Sequence, residues 1–335
     1  MTCLVTGASG HIVCVLVRRL LDEGYDVRAF VLPGDRAASL EGLPIRMIHG
    51  DILKIEDIEK AAEGVDIIFH LAGIIGIGSG QKKRMHSVNV GGVHNIVEVC
   101  KKQNIRMLVY VSSVHALTEL PGRQIIRETD SFSARQVHGS YAKSKAEATA
   151  YLLGECKNGL NAVVVHPSGV IGPYDYELSN LGQMILDYAS RKLHAAINGG
   201  YNFVDVRDVA DGIALAASRG KSGECYILSG QVVTVPQLMK SLETLTGIRA
   251  PKVKIPYFLA YMTGPLAELY YKIRHQKPLF TAYSVYTLAT NSNFSNEKAM
   301  RELGFKSRPI AQTLADTVHW IVRQYKLKLK GSEAD

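Results

Sequence analysis

Two patterns alternate through the first half of the chain. Short, near-continuous runs of Val, Ile and Leu (3–5, 27–32, 45–48, 66–71, 107–111 and 162–165) are separated by stretches with helical spacing of apolar residues (10–23, 56–63, 83–103 and 139–157). Strands that are apolar along their whole length belong in a sheet covered on both faces. Strand–helix alternation of this kind leaves few architectures open. The expectation is an α/β chain with a doubly wound, Rossmann-type parallel sheet.

The rhythm changes after Pro167, where Pro, Gly and Tyr punctuate 167–177 and a helical stretch follows at 178–191. An extended segment at 202–206 leads into a helix with Asp208 as its N-cap candidate, and 225–228 reads as another strand. From Thr234 the pattern is mostly helical, broken by prolines. The expected division is a dinucleotide-binding Rossmann domain over 1–170, with 203–228 returning to it. A smaller, mostly helical C-terminal substrate lobe spans 171–202 and 229–327, and 328–335 form a loose tail.

The 335 residues suffice for a full α/β core and a second lobe. A net charge of +8 favours anionic ligands such as phosphates. The basic residues are scattered, however, and clusters such as Lys82-Lys83-Arg84 read as solvated. Without a basic stripe interleaved with aromatics, nucleic-acid binding is not expected. Five dispersed cysteines lack metal-ligand spacing and read as reduced thiols of a cytoplasmic protein. No metal site, signal peptide or membrane span is expected. The most apolar stretch, 255–273, is interrupted by Gly264-Pro265 and carries Glu268 and Lys272, so it reads as amphipathic helices of the second lobe.

Chemistry concentrates at the ends of the strands. Gly7 permits a tight strand-to-helix turn, and Gly10 lets the backbone approach a pyrophosphate at the helix N-terminus, with Ser9, His11 and Ile12 in the same turn. Val13 stands where a third glycine is looked for. Neither an acid for a ribose hydroxyl nor a basic group for a 2′-phosphate marks the end of the second strand, although Arg36, past Pro33-Gly34, could swing onto a phosphate. NAD and NADP therefore both stay open. Asp51 and Ile52 after the third strand suit an adenine, as acceptor and apolar wall. Leu71, Ala72 and Gly73 end the fourth strand, where small residues admit the cofactor, while His70 reads as a core histidine. Asn89 is placed to hold a water near the nicotinamide.

Tyr141 and Lys145, at i and i+4, share one helix face. A phenol is a poor acid or base at neutral pH, and a nearby ammonium favours its ionised form. Ser113, at the end of the fifth strand, offers a hydroxyl to a substrate oxygen. Together these three make a candidate proton-transfer centre for an enzyme.

With Thr6-Gly7-x-x-Gly10, Gly50-Asp51-Ile52, His70-Leu71-Ala72, Asn89, Val111-Ser112-Ser113, Tyr141-x-x-x-Lys145, His166-Pro167-Ser168 and the 203–210 segment, the chain resembles the extended short-chain dehydrogenase/reductase superfamily. That group includes NAD-dependent epimerases/dehydratases, dihydroflavonol reductases and 3β-hydroxysteroid dehydrogenases. The resemblance implies Ser113, Tyr141 and Lys145 as catalytic residues with Asn89 assisting, and Pro167, Ser168 and Val170 beside the nicotinamide amide. It also implies a homodimer. The expected reaction interconverts a secondary alcohol and a ketone. The aromatic second lobe (Tyr257, Phe258, Tyr261, Met262, Tyr270, Tyr271, Phe280, Tyr283, Tyr286) resembles that of reductases for steroid- or flavonoid-like small molecules. Nucleotide-sugar epimerisation is the alternative, and a non-catalytic dinucleotide sensor a third.

Overall fold

The computed structural model describes residues 1–8, 10–75, 82–260, 262–263, 282–327 and 329. Seven parallel strands form the main sheet: β1 (Thr2–Thr6), β2 (Asp26–Val31), β3 (Arg46–His49), β4 (Ile67–His70), β5 (Met107–Val111), β6 (Ala162–Pro167) and, later in the chain, β10 (Cys225–Leu228). Between β6 and β10 lie β7 (Gly169–Ile171), β8 (Ala195–Ile197) and β9 (Gly200–Asp205), and after them β11 (Gln231–Thr234) and β12 (Val253–Ile255). The order β10-β6-β5-β4-β1-β2-β3 starts at the centre, runs out one way, then crosses back to run out the other. This is the doubly wound arrangement, with its switch point between β1 and β4, where a crevice opens beyond the strand ends.

Strand composition follows from the layers. In β1, Cys3 and Val5 enter one core layer with helices α1 (His11–Asp22) and α7 (Val206–Arg219). Leu4 faces the opposite layer, built on α2 (Ile55–Ala62), α4 (Gly92–Lys102) and α5 (Ser140–Lys157). With both faces covered, neither set of alternate side chains meets water, and the strand reads apolar throughout. Val13 lies buried in the first of these layers, so the position tolerates a branched side chain.

Beyond β6 the chain builds two small sheets: β9 between β7 and β11, and β8 beside β12. Next to them α6 (Asn180–Ala189), α8 (Val235–Thr246) and the helix Ile310–Gln324 share a third core, including Ile185, Leu242, Leu314 and Ile321. β10 joins the main sheet by pairing with β6, whereas β9 pairs only in the small sheet. The N-cap expected at Asp208 falls instead at Asp205. There the backbone is still extended and the carboxylate accepts the Arg207 N–H at 2.8 Å, so α7 begins directly at the end of β9. Asp208, inside the first turn, accepts hydrogen bonds from Arg308 N and Nε, both at 2.7 Å.

Candidate active site

A cleft of about 590 Å³ opens at the carboxyl ends of the central strands. Gly7, Gly10, His11, Ile12, Asp51, Ile52, Leu71, Ala72, Gly73, Ser113, Tyr141, Lys145, Pro167, Ser168 and Val170 all line it. Ser9 lies outside the described residues, as do Tyr261, Tyr270, Tyr271 and Phe280 of the second lobe.

The glycine turn is built for close approach. Gly7 has φ +80°, and a Cβ there would lie 2.8 Å from the Cα and N of Ala72. Gly10 is the N-cap of α1 and offers no side-chain cap, so first-turn N–H groups remain available to an anion. A Cβ on Gly73 would lie 3.1 Å from Asn89 Oδ1 and 3.6 Å from Lys145 Nζ. The strand ends thus leave a slot between backbone segments into which a flat, phosphate-bearing dinucleotide fits.

At the other end of the cleft is the proton-transfer group. Ser113 follows β5 directly; its hydroxyl accepts the His115 N–H at 3.3 Å and lies beside the Tyr141 phenol. Burial pushes the Tyr141 phenol up to about 12, and the neighbouring Ser113 hydroxyl pulls it partly back. Lys145 is 4% exposed; its Nζ donates to Val111 O at 2.9 Å and to the Tyr110 hydroxyl at 3.4 Å. Burial pushes its ammonium down to about 7. Desolvation therefore dominates both groups, against the expectation that the lysine charge would govern the phenol. Tyr141 is held protonated and poised to donate.

Two sequence expectations meet different surroundings. Asn89 does not line the cleft. It sits fully buried in a π-helical turn, Ser87–Gly91, accepting from Ile74 N at 2.8 Å and donating to Ile74 O and Ser144 Oγ, each at 3.0 Å. Ser144 in turn donates to Tyr141 O at 2.8 Å. Both Asn89 amide donors are thereby engaged by protein groups, and the side chain organises the cleft edge at Ile74 and the start of α5. Arg36, exposed, lines a separate depression beyond β2, with Glu41 and His49, and does not line the cleft.

The structure also packs further groups around the proton-transfer centre. His115 lines the cleft, edge-on to Tyr141 at 6.1 Å and close to Tyr283 at 5.7 Å. Its Nε2 is 3.1 Å from the Tyr201 hydroxyl, and burial lowers it to about 4, so the imidazole is neutral. Tyr283 packs on Gly139, where a Cβ would lie 2.5 Å from the ring; this glycine, at φ +90°, immediately precedes α5. Buried His166, lowered to about 4, donates from Nδ1 to Ser113 O at 2.9 Å and fixes that backbone. His70 is a core histidine as expected, 1% exposed and bonded to the Thr6 hydroxyl at 2.8 Å.

A phosphate-accepting turn and a tyrosine–lysine pair facing one cleft define a dinucleotide-dependent enzyme of the extended short-chain dehydrogenase/reductase type. The family model described as NAD dependent epimerase/dehydratase family matches residues 3–229, and the chain belongs to that family. It is an oxidoreductase with NAD or NADP as cofactor. It is 32% identical to "Sterol demethylase protein B" of Methylococcus capsulatus, over 96% of this chain and 98% of that one. It is 28% identical to a 3-beta-hydroxysteroid dehydrogenase of Mycolicibacterium neoaurum, over 90% and 86% of the two chains. The crystal structure of gox2253 superposes with a TM-score of 0.84 at 32% identity, covering 98% of this chain and 99% of that one. Among the described residues, no helix is long and apolar enough to cross a membrane.

Proposed function

We propose that the enzyme reduces the ketone of an apolar, ring-bearing small molecule to a secondary alcohol, reversibly, with Ser113, Tyr141 and Lys145 as its catalytic residues. The observation that carries this reading is the convergence of Ser113, Tyr141 and buried Lys145 on the same cleft as the glycine turn. The bound nicotinamide supplies or accepts the hydride. Ser113 and Tyr141 orient the substrate oxygen between their hydroxyls. Tyr141, kept protonated by burial, gives its proton to that oxygen as negative charge develops on it, and takes it back in the oxidative direction. Lys145, one helical turn on and anchored to Val111 O, stabilises the phenolate left behind through its ammonium charge. Gly7, Gly10, His11 and Ile12 hold the pyrophosphate, Asp51 and Ile52 the adenine, and Pro167, Ser168 and Val170 flank the nicotinamide.

An apolar substrate is supported by the lining near Tyr141, where His115, Tyr283, Val111 and Val170 face the space. Among the described residues of the cleft, Arg84 and Lys145 are the only arginine and lysine, and Lys145 is buried. Among the described residues, a nucleotide-sugar diphosphate, in addition to the cofactor's own, would have Arg84 alone as an exposed cationic partner there. The names of the sterol- and steroid-related relatives agree with this choice. Replacing Tyr141→Phe is expected to lower turnover by about 10²–10⁴-fold while dinucleotide binding persists. Turnover unaltered by that change sinks the catalytic assignment and favours a sensor. Net oxidation of reduced nicotinamide by hydroxysteroid- or flavonoid-type ketones is expected; internal recycling on nucleotide sugars without net oxidation identifies an epimerase instead.

A further inference from the structure

Gly10 caps α1, and the next residue, His11, serves two parts of the molecule at once. Its backbone N–H is one of the first-turn donors without an intrahelical partner, at the place where a pyrophosphate is expected. Its imidazole is committed elsewhere. Nε2 lies 2.9 Å from Pro173 O, and since a carbonyl only accepts, Nε2 carries the proton and donates. Nδ1 lies 4.0 Å from Asp175 Oδ1. The grip continues along the same helix face at i+3 and i+7. Cys14 Sγ lies 3.3 Å from Tyr174 O, and the Arg18 guanidinium is 5.9 Å from the centre of the Tyr174 ring.

The loop so held joins β7 to α6. Tyr174 at φ +71° and Leu178 at φ +48° have left-handed backbones, which residues other than glycine keep only where their surroundings fix them. Within the loop Asp175, 3% exposed, accepts the Ser179 N–H at 2.9 Å and the Ser179 hydroxyl at 2.6 Å. Ser179 is the N-cap of α6, accepts the Gly182 N–H at 3.1 Å and lines the cleft. A Cβ on Gly182 would overlap Asp175 Oδ2, so the carboxylate occupies the space that this glycine leaves. A path of direct contacts therefore runs from the dinucleotide turn, through His11 and Asp175, to the cleft wall at the start of α6.

We propose that His11 is a positioning residue through which a dinucleotide bound on the N–H groups of α1 fixes the Pro173–Ser179 loop and the first turns of α6, so that this wall of the cleft is set when a ketone meets it. The proposal rests on the dinucleotide reading of the cleft and adds the side chain by which occupancy is felt at α6. The dependence is reciprocal, so a loosened loop also weakens dinucleotide binding by the same factor.

Hydrogen–deuterium exchange of the full chain, with and without NADH or NADPH at saturation judged by nicotinamide fluorescence, reads this without any substrate. In wild type the dinucleotide is expected to slow exchange of amides 179–186 by about tenfold. His11→Gln has a side-chain N–H that can donate to Pro173 O and is expected to keep most of that slowing. His11→Phe keeps a ring and the backbone N–H but has no donor. It is expected to bind dinucleotide within about tenfold of wild type and to show little slowing at 179–186. Slowing that is absent in wild type, that persists undiminished in His11→Phe, or that His11→Gln loses as completely as His11→Phe overturns the proposal while the cofactor reading stands. Loss of binding in His11→Phe beyond about a hundredfold also overturns it, since the side chain would then serve the phosphates directly. Binding of neither dinucleotide by wild type overturns the cofactor reading and the proposal with it.

Discussion

Lys145 lies in the interior with a carbonyl, a phenol hydroxyl and the face of the Tyr110 ring 4.9 Å away as its surroundings. These groups solvate an ammonium less well than water does, so the folded state holds the proton less tightly than the unfolded chain. The sign follows from linkage. With the pKa at about 7 in the folded protein and 10.5 as the ordinary value, the unfolded state binds more protons between those pH values. Stability from this group is intact above the upper value and is lost progressively as pH falls towards 7. In the cofactor-free enzyme, Lys145→Met is expected to remove this component. Urea unfolding from pH 6.5 to 9.5 should show the wild type gaining on the variant as pH rises, by an amount of order a few kcal/mol at about 1.4 kcal/mol per pKa unit. A constant difference between the two proteins across that range would contradict the burial argument.

At the scale of elements, the site depends on where secondary structure starts. The β1–α1 junction works because Gly7 takes a left-handed backbone and lets Ala72 pass within contact distance. Gly7→Ala combines an unfavourable φ with a backbone clash that no rotamer relieves. It is expected to cost about 1–3 kcal/mol in thermal or chemical unfolding and to weaken dinucleotide binding beyond the stability loss. Retained affinity would mean that the turn does not set the cofactor position. The π-turn at Ser87–Gly91 shows a second way of using an element boundary. One widened turn carries Asn89 to both backbone groups of Ile74, and insertions of this kind recur at functional sites. Periodicity alone suggested one helix over 83–103, since a widened turn leaves the apolar pattern almost undisturbed. The strands β7, β8 and β12, of three residues each, were equally hidden because so short a segment has no readable alternation.

For the molecule as a whole, the junction between the main sheet and the smaller sheets is held by charge. Arg308 bonds Asp208 and lies 3.7 Å from Asp205, which Arg207 also engages, and Arg207 reaches Asp316 on the last helix. Asp205 and Asp208 are nearly inaccessible, so the carboxylates depend on these partners. Arg308→Ala strands Asp208 and is expected to cost about 3 kcal/mol or more, read in calorimetry as a melting temperature several degrees lower. Activity measured well below that temperature is expected to persist, because the network does not line the cleft.

Much of this enzyme follows from residues close together along the chain. The seven strands of the main sheet, the helices that cover it, the glycine turn and the shared helix face of Tyr141 and Lys145 all arise from local spacing. Backbone geometry turns such spacing into direction within one or two turns. The tertiary structure decided what spacing does not encode. It brought Ser113 to Tyr141, set Tyr283 against Gly139 and drew Asn89 to Ile74. It also placed Arg36 in a separate depression beyond β2 and not on the cleft. Each of these outcomes depends on how segments distant in the chain close upon one another. A side chain's partner is chosen by the packing of the whole, whereas its face on a helix or strand is set by its immediate neighbours.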